Sequence, residues 1–198
     1  MQERSSKVIA IVALCVGVVG LSLGFAAFSA SLTVSSEGSV TVSEETFVLD
    51  VENLSCVDQG GAAVEGATAT SGSRTVSVSG INAAFTAAGQ SVTCTFDVTS
   101  RNYNANLISV TGGVVSCDLT SQAGVAACDA IDVIINHGET SIGTIDSKNA
   151  LNYNTPVALT KGAKQTVTFK IDYPAGSQLP DGVLDVTIPN VVFSYQTV

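Results

Sequence analysis

The chain has 198 residues, 45% hydrophobic and only 13% charged, a balance that excludes a disordered chain and a large multidomain enzyme. Eight Lys and Arg stand against 17 Asp and Glu. After residue 30 the ratio is 6 to 16, a net charge of −10 that repels phosphate backbones and excludes nucleic acid as a partner.

Residues 8 to 28 read VIAIVALCVGVVGLSLGFAAF, 21 residues without a charge, preceded by Arg4 and Lys7 and followed by the small residues Ser29, Ala30 and Ser31. This is the pattern of an export signal. The run exceeds the roughly 7–15 residues of an ordinary signal core and at about 1.5 Å per residue just spans a bilayer. Residues 1–30 are therefore expected to be a signal peptide or, if uncleaved, a membrane anchor. Small residues at Ala27 and Ser29, or at Ser29 and Ser31, favour cleavage. Either outcome leaves residues 31–198 outside the cytoplasm as one extracellular or cell-surface domain, touching membrane only through residues 8–28 if these are retained.

Beyond residue 31 apolar residues alternate, which predicts strands. Short alternations occur at Leu32 and Val34, at Val40 and Val42, at Phe47, Leu49 and Val51, and at Val76 and Val78. The clearest is SVTCTFDVTS, with Val92, Cys94, Phe96 and Val98 on one face and Thr93, Thr95 and Asp97 on the other. QTVTFKIDY repeats it with Val167, Phe169, Ile171 and Tyr173, and two closing runs carry Leu184, Val186, Ile188 and then Val191, Phe193, Tyr195. Turn residues separate them: Gly60-Gly61, Ser71-Gly72-Ser73, Ala88-Gly89, Gly112-Gly113, His137-Gly138, Lys161-Gly162, Pro174-Ala175-Gly176 and Asp181-Gly182. The expected fold is all-β, an antiparallel sandwich of about eight to ten strands, jelly-roll or immunoglobulin-like. Residues 118–152 are the least regular: DLTSQAGVAACDA reads as a loop or one short helix, and Ile131, Val133 and Ile135 as a strand. The chain closes on a strand with no second apolar run, and Leu179-Pro180-Asp181-Gly182 is a turn lacking the Thr-Gly of a wall-sorting motif.

Cys15 lies in the apolar run, leaving Cys56, Cys94, Cys117 and Cys128. Four cysteines in an exported domain predict two disulfides, for which three pairings exist. The short, turn-prone interval between Cys117 and Cys128 favours that pair, and with it Cys56–Cys94. Since Cys94 lies on the apolar face, its disulfide is expected to be buried between sheets.

Candidates for chemistry are few. The single histidine, His137 in INHGET, reads as a solvated turn residue rather than a base. No H-E-x-x-H, G-x-S-x-G or Gly-rich phosphate loop occurs, and without C-x-x-C or a second histidine no metal or other cofactor is called for. Glu44, Glu45, Asp50, Asp58, Asp97, Asp118, Asp129, Asp132, Asp172, Asp181 and Asp185 fall in no calcium-loop frame and read as a solubilising surface, the alternative being a weak exposed calcium site. Asn53-Leu54-Ser55 matches a glycosylation acceptor, a pattern frequent by chance. Tyr103, Tyr153, Tyr173 and Tyr195 are scattered, and with no Trp they form no aromatic platform for sugars.

Several segments carry a resemblance. GLSLGFAAFSA followed at once by SLTVSS resembles the signal region of the TasA and camelysin family of exported bacterial proteins. AAGQSVTCTFDVTSRNYNANLISV is similar to that family's strand, Asn-rich turn and strand, and LTKGAKQTVTFKIDY with VTIPNVVFSYQ to its closing strands. The resemblance covers roughly a third of the chain, in motifs that are largely sandwich grammar. It implies a jelly-roll-like sandwich and assembly as surface or biofilm-matrix fibres. Camelysin's peptidase label does not carry over, because no metal-ligand cluster is present, and the four cysteines depart from the family's pattern.

Three roles compete, none of them enzymatic. The first is a structural subunit of the cell surface or matrix, self-associating or joining other envelope proteins by strand addition through Leu32 and Val34, at the start of the mature chain. The second is an adhesin or ligand-binding module using loop residues 118–130 and 136–154. The third is a pilin-like subunit retaining residues 8–28 as a packing helix, against which stand Lys7 where such proteins have Gly and Val12 where they have Glu.

Overall fold

The computed structural model describes residues 30–34, 40–44, 47–118, 121–178 and 182–198, with side chains from Phe47 onward. The expected signal or anchor segment and the turn at Leu179–Asp181 lie outside the described residues. The chain divides into two compact units, Met1–Thr46 and Phe47–Val198.

In the first unit, β1 (Ala30–Val34) and β2 (Val40–Glu44) pair antiparallel as a two-stranded sheet. The register sets Leu32 opposite Val42 and Val34 opposite Val40.

The second unit is built from three antiparallel sheets around one core. A five-stranded sheet has β12 (Thr140–Ile145), β11 (Asp132–His137), β15 (Lys164–Asp172), β8 (Ser91–Ser100) and β3 (Leu49–Gln59) in that spatial order. A six-stranded sheet runs β13 (Leu151–Tyr153), β9 (Ala105–Gly112), β17 (Val191–Thr197), β6 (Thr75–Ser79) and β5 (Thr68–Ser71), with β14 (Val157–Leu159) also on β9. A smaller sheet orders β10 (Ser116–Cys117), β16 (Leu184–Thr187), β7 (Asn82–Phe85) and β4 (Ala63–Glu65). One short helix, α1 (Gln122–Cys128), lies between β10 and β11.

The alternation in β8 and β15 is realised. Val92, Cys94, Phe96 and Val98 are buried, as are Val167, Phe169, Ile171 and, just past β15, Tyr173, while Thr93, Thr95 and Asp97 on the other face are only half-buried. Facing them across the sandwich is β17, whose Phe193 ring meets Phe96 at 6.2 Å and Phe169 at 6.0 Å, both edge-on. That arrangement suits the ring quadrupoles and marks where the two large sheets interlock. Leu49, Val76, Val78, Leu184, Val186, Val191 and Tyr195 are also buried, so these runs of the second unit line its core, with Val51 half-buried against it.

The described residues form 17 strands, more than the eight to ten expected. The surplus comes from elements such as β4, β10, β13 and β14, of two or three residues each, too short to show a period of two. They are held by pairing with longer neighbours, not by a local signal.

The disulfide expectation needs a correction at Cys94. Cys56 pairs with Cys94 and Cys117 with Cys128, but the first bond does not bridge two sheets. It joins directly opposed residues of the adjacent strands β3 and β8, Cα to Cα 4.0 Å. The reason is a bulge in β3: Glu52 faces Asp97 and Ser55 faces Thr95, so Asn53 and Leu54 together oppose Phe96. The added residue shifts the alternation by one, so that Cys56, and not Ser55, falls on the face of Cys94. Asn53 takes up the bulge with φ of 57°, alone among the described non-glycine residues in having a positive φ. Asn tolerates that conformation better than most side chains.

Candidate interaction surfaces

Two regions of the described surface combine exposure with specific geometry, and a third is defined by its backbone pairing alone. The first is one end of the second unit, where sequence-distant segments are tied together. Cys117 of β10 is bonded to Cys128 at the end of α1, and Ser121 caps that helix by accepting a hydrogen bond from Gly124 N at 3.0 Å. Beyond the helix, Asp129 accepts from Ser147 Oγ and pairs with Lys148 Nζ at 2.7 Å. Asp146 accepts from the Lys148 and Asn149 backbone amides and from Asn149 Nδ2, a turn in which a carboxylate stands in for backbone. Lys148 beside Asp129, and Asn149 beside Asp146, hold both carboxyls below the ordinary carboxylate range.

This geometry sorts the loop residues named from the sequence. Residues 118–130 and the segment 146–150 come together through Asp129. The rest of 136–154 does not, because His137, Thr140–Ile145 and Leu151–Tyr153 are in strands and the Gly138-Glu139 turn lies at the other end of β12. Val114, Val125 and Val183, 44%, 49% and 48% exposed, belong to the tied segments, since Val115 N donates to Asp146 O and Asp118 N to Asp185 O. The end thus presents apolar side chains on a cross-linked base. Donors already occupy Asp146, and among the described residues no three His, Cys, Asp or Glu side chains gather to hold a metal ion.

The second region is the outer face of the five-stranded sheet. Asn53 Nδ2 and Thr166 Oγ1 donate to Asp97 at 2.9 and 2.8 Å, and these bonds, with Lys164, lower its carboxyl's pKa. Lys164 also reaches Glu52 at 3.4 Å, and Arg101 binds Asp50 through two nitrogens. These pairs dress β3, an edge strand carrying charge and a bulge, two devices that keep an edge from pairing with another chain. The opposite edge, β12, reads TSIGTI and has no charged residue.

The third region is the β1–β2 sheet. Leu32 and Val34 lie in β1 with β2 as partner, and one edge of each strand is open among the described residues.

His137 belongs to none of these, and its expected place in a solvated turn is overturned. It is the last residue of β11, 1% exposed. Its Nε2 lies 3.1 Å from Tyr195 Oη, its Nδ1 has no partner, and burial pulls its pKa down to about 4. A turn does follow: Gly138 and Glu139 link β11 to β12, Gly138 with φ of 59°. But the alternation of Ile131, Val133 and Ile135 continues one step further and carries His137 inward. That period was the available signal, outweighed by the adjacent Gly. Buried with tyrosine, the imidazole has no access to a substrate. Tyr173 and Tyr195 are likewise core residues, and Tyr103 and Tyr153 are half-buried.

Sequence reasoning missed Gln90 altogether. Buried, it accepts from the Thr86 and Ala87 amides and donates to Gly60 O at 2.8 Å, pinning two turns together. Only that convergence distinguishes it from any surface glutamine.

No family model matches the chain, and no curated protein matches it. Among solved structures, the CBM36-1 domain of a multidomain xylanase from the hindgut metagenome of Trinervitermes trinervoides is similar over 74% of this chain and 100% of that domain, at 12% identity and a TM-score of 0.27. Two disulfides in one small domain are the cysteine usage of chains that fold in an oxidising environment. Among the described residues no helix is long and apolar enough to cross a membrane.

Proposed function

We propose that the chain is an exported structural protein of the cell surface or extracellular matrix, a fibre-forming subunit whose jelly-roll-like sandwich assembles by strand addition. Export rests on the charge-free run Val8–Phe28 behind Arg4 and Lys7, and the two disulfides support it.

The observation that carries assembly is the β1–β2 pair. Two strands alone are marginal in water, because they bury too little to offset the entropy of ordering them. Leu32, Val34, Val40 and Val42 make this segment apolar at alternate positions. Such a pair gains most by adding to a third strand, and a neighbouring copy supplies one.

The test is size-exclusion chromatography and electron microscopy of the mature protein with and without residues 32–36. Assembly by the intact chain and folded monomers after deletion are expected. Monomers in both, with a lower melting temperature after deletion, would exclude the fibre role.

A second reading, a surface adhesin or ligand-binding module, is favoured by the cross-linked end that carries Val114, Val125 and Val183 on segments tied by the Cys117–Cys128 disulfide and by backbone hydrogen bonds. It becomes the preferred role if the deletion leaves a monomeric state unchanged.

A further inference from the structure

His137 and Tyr195 lie in different sheets, β11 in the five-stranded and β17 in the six-stranded, with ring centroids 6.0 Å apart. Around them the ladders are interrupted twice. Between Ile135/Gly143 and Asn136/Ser141 the neighbour β12 has one residue too many, Ile142. Between Ser194/Ser109 and Tyr195/Leu107 the neighbour β9 has one too many, Ile108. A bulged residue drops out of the ladder, so both sheets are least securely bonded at the level where the two rings meet. The His137–Tyr195 hydrogen bond ties the sheets across that level.

We infer that this pair is an acid-sensitive latch: proton uptake by His137 releases the β11–β12 hairpin from β17 and opens that end of the sandwich. The neutral ring is tolerable, with Nε2 bonded to the phenol and Nδ1 left without a partner. The imidazolium adds a charge and obliges both nitrogens to donate, and Nδ1 has no acceptor.

A backbone hydrogen bond of His137 itself offsets part of that charge's cost, burial outweighs it, and no charged side chain nearby adds to it. Strands β12, β9 and β6 carry no ionisable side chain, and β17 carries Tyr195 alone, whose hydroxyl burial keeps protonated. On β15, Lys164, Lys170 and Asp172 all lie off the buried face, Asp132 is at the far end of β11, and Glu139 in the turn and Arg74 before β6 are exposed. No carboxylate is buried with the ring, and burial is the main influence on it. Opening would free β12, the uncharged edge, from its own sandwich. The latch does not depend on the fibre proposal.

Hydrogen exchange of the disulfide-intact protein at pH 7.5 and pH 5, corrected for the intrinsic pH dependence of exchange, tests it. With the imidazole titrating near 4 when closed and near 6.5 when open, the open fraction rises about thirtyfold between the two pH values. That rise is expected in peptides covering 132–145 and 191–197, and is absent in His137→Gln. Equal pH responses in the two proteins would overturn the latch. Should the variant fail to fold, NMR titration of the single imidazole in the wild-type chain decides: titration well below 6.5, together with loss of protection in β11, supports the latch, and titration near 6.5 overturns it.

Discussion

Asn53 shows how much of the second unit hangs on one backbone conformation. Its φ of 57° seats the bulge in β3, and its amide donates to Asp97 on β8. Asn53→Gly relieves the backbone while losing that bond, and urea denaturation is expected to find it within about 1 kcal/mol of wild type. Asn53→Val puts a β-branched side chain where such residues are strained, and should cost about 2–3 kcal/mol. Deleting Asn53 is the sharper test, because Leu54 alone then opposes Phe96 and strict alternation returns, with Ser55 still opposite Thr95 and Cys56 still opposite Cys94. No reactive thiol is then expected at Cys56 or Cys94 in the unreduced, denatured protein. Labelling of both would refute Asn53 as the one extra residue of the bulge.

Among the elements, the two disulfides act on different parts of the fold. Cys56–Cys94 closes 38 residues between two neighbouring strands, and Cys117–Cys128 closes 11 around α1. In the chain-entropy account the longer closure restricts the unfolded chain more, about 4 against about 3 kcal/mol. Paired Cys→Ser replacements should therefore show the larger loss at 56 and 94, read from denaturant midpoints. Removing the 117–128 bond should also raise hydrogen exchange in α1, a seven-residue helix too short to persist alone. If the helix keeps its protection, the ion pair and hydrogen bond at Asp129 suffice to hold it. The alternating runs of β8, β15 and β17 were legible in the sequence because each spans seven or more residues. The helix was half-legible, since QAGVAAC is small and apolar but too short for a period of 3.6 to show.

At the scale of the whole molecule, His137 predicts how stability depends on pH. The unfolded chain takes up the proton near 6.5 and the folded one only near 4, so lowering the pH favours unfolding. Stability is complete above about 6.5, and about 3 kcal/mol of it is lost as the pH falls to about 4. The carboxyls of Asp97, Asp129 and Asp146, held below 3.8, lose their contributions in a separate and lower window. Urea denaturation at pH 7.5, 5.5 and 4 should show the decline in wild type and a nearly flat profile in His137→Gln. A decline of equal size in both would assign it to other groups.

Which faces turn inward on the long strands, the antiparallel all-β class, and the even set of four cysteines follow from the sequence by itself. A strand's period of two is a local property, written in consecutive residues such as Val92, Cys94, Phe96 and Val98. The tertiary structure alone decided that Cys56 meets Cys94 across adjacent strands, that His137 is buried against Tyr195, that Gln90 joins two turns, and that Asp129 holds the 146–150 loop. Each depends on residues 18 to 58 positions apart brought together by strand register. A single inserted residue, as at Asn53, reverses every face beyond it, and a local pattern cannot carry that information across the chain.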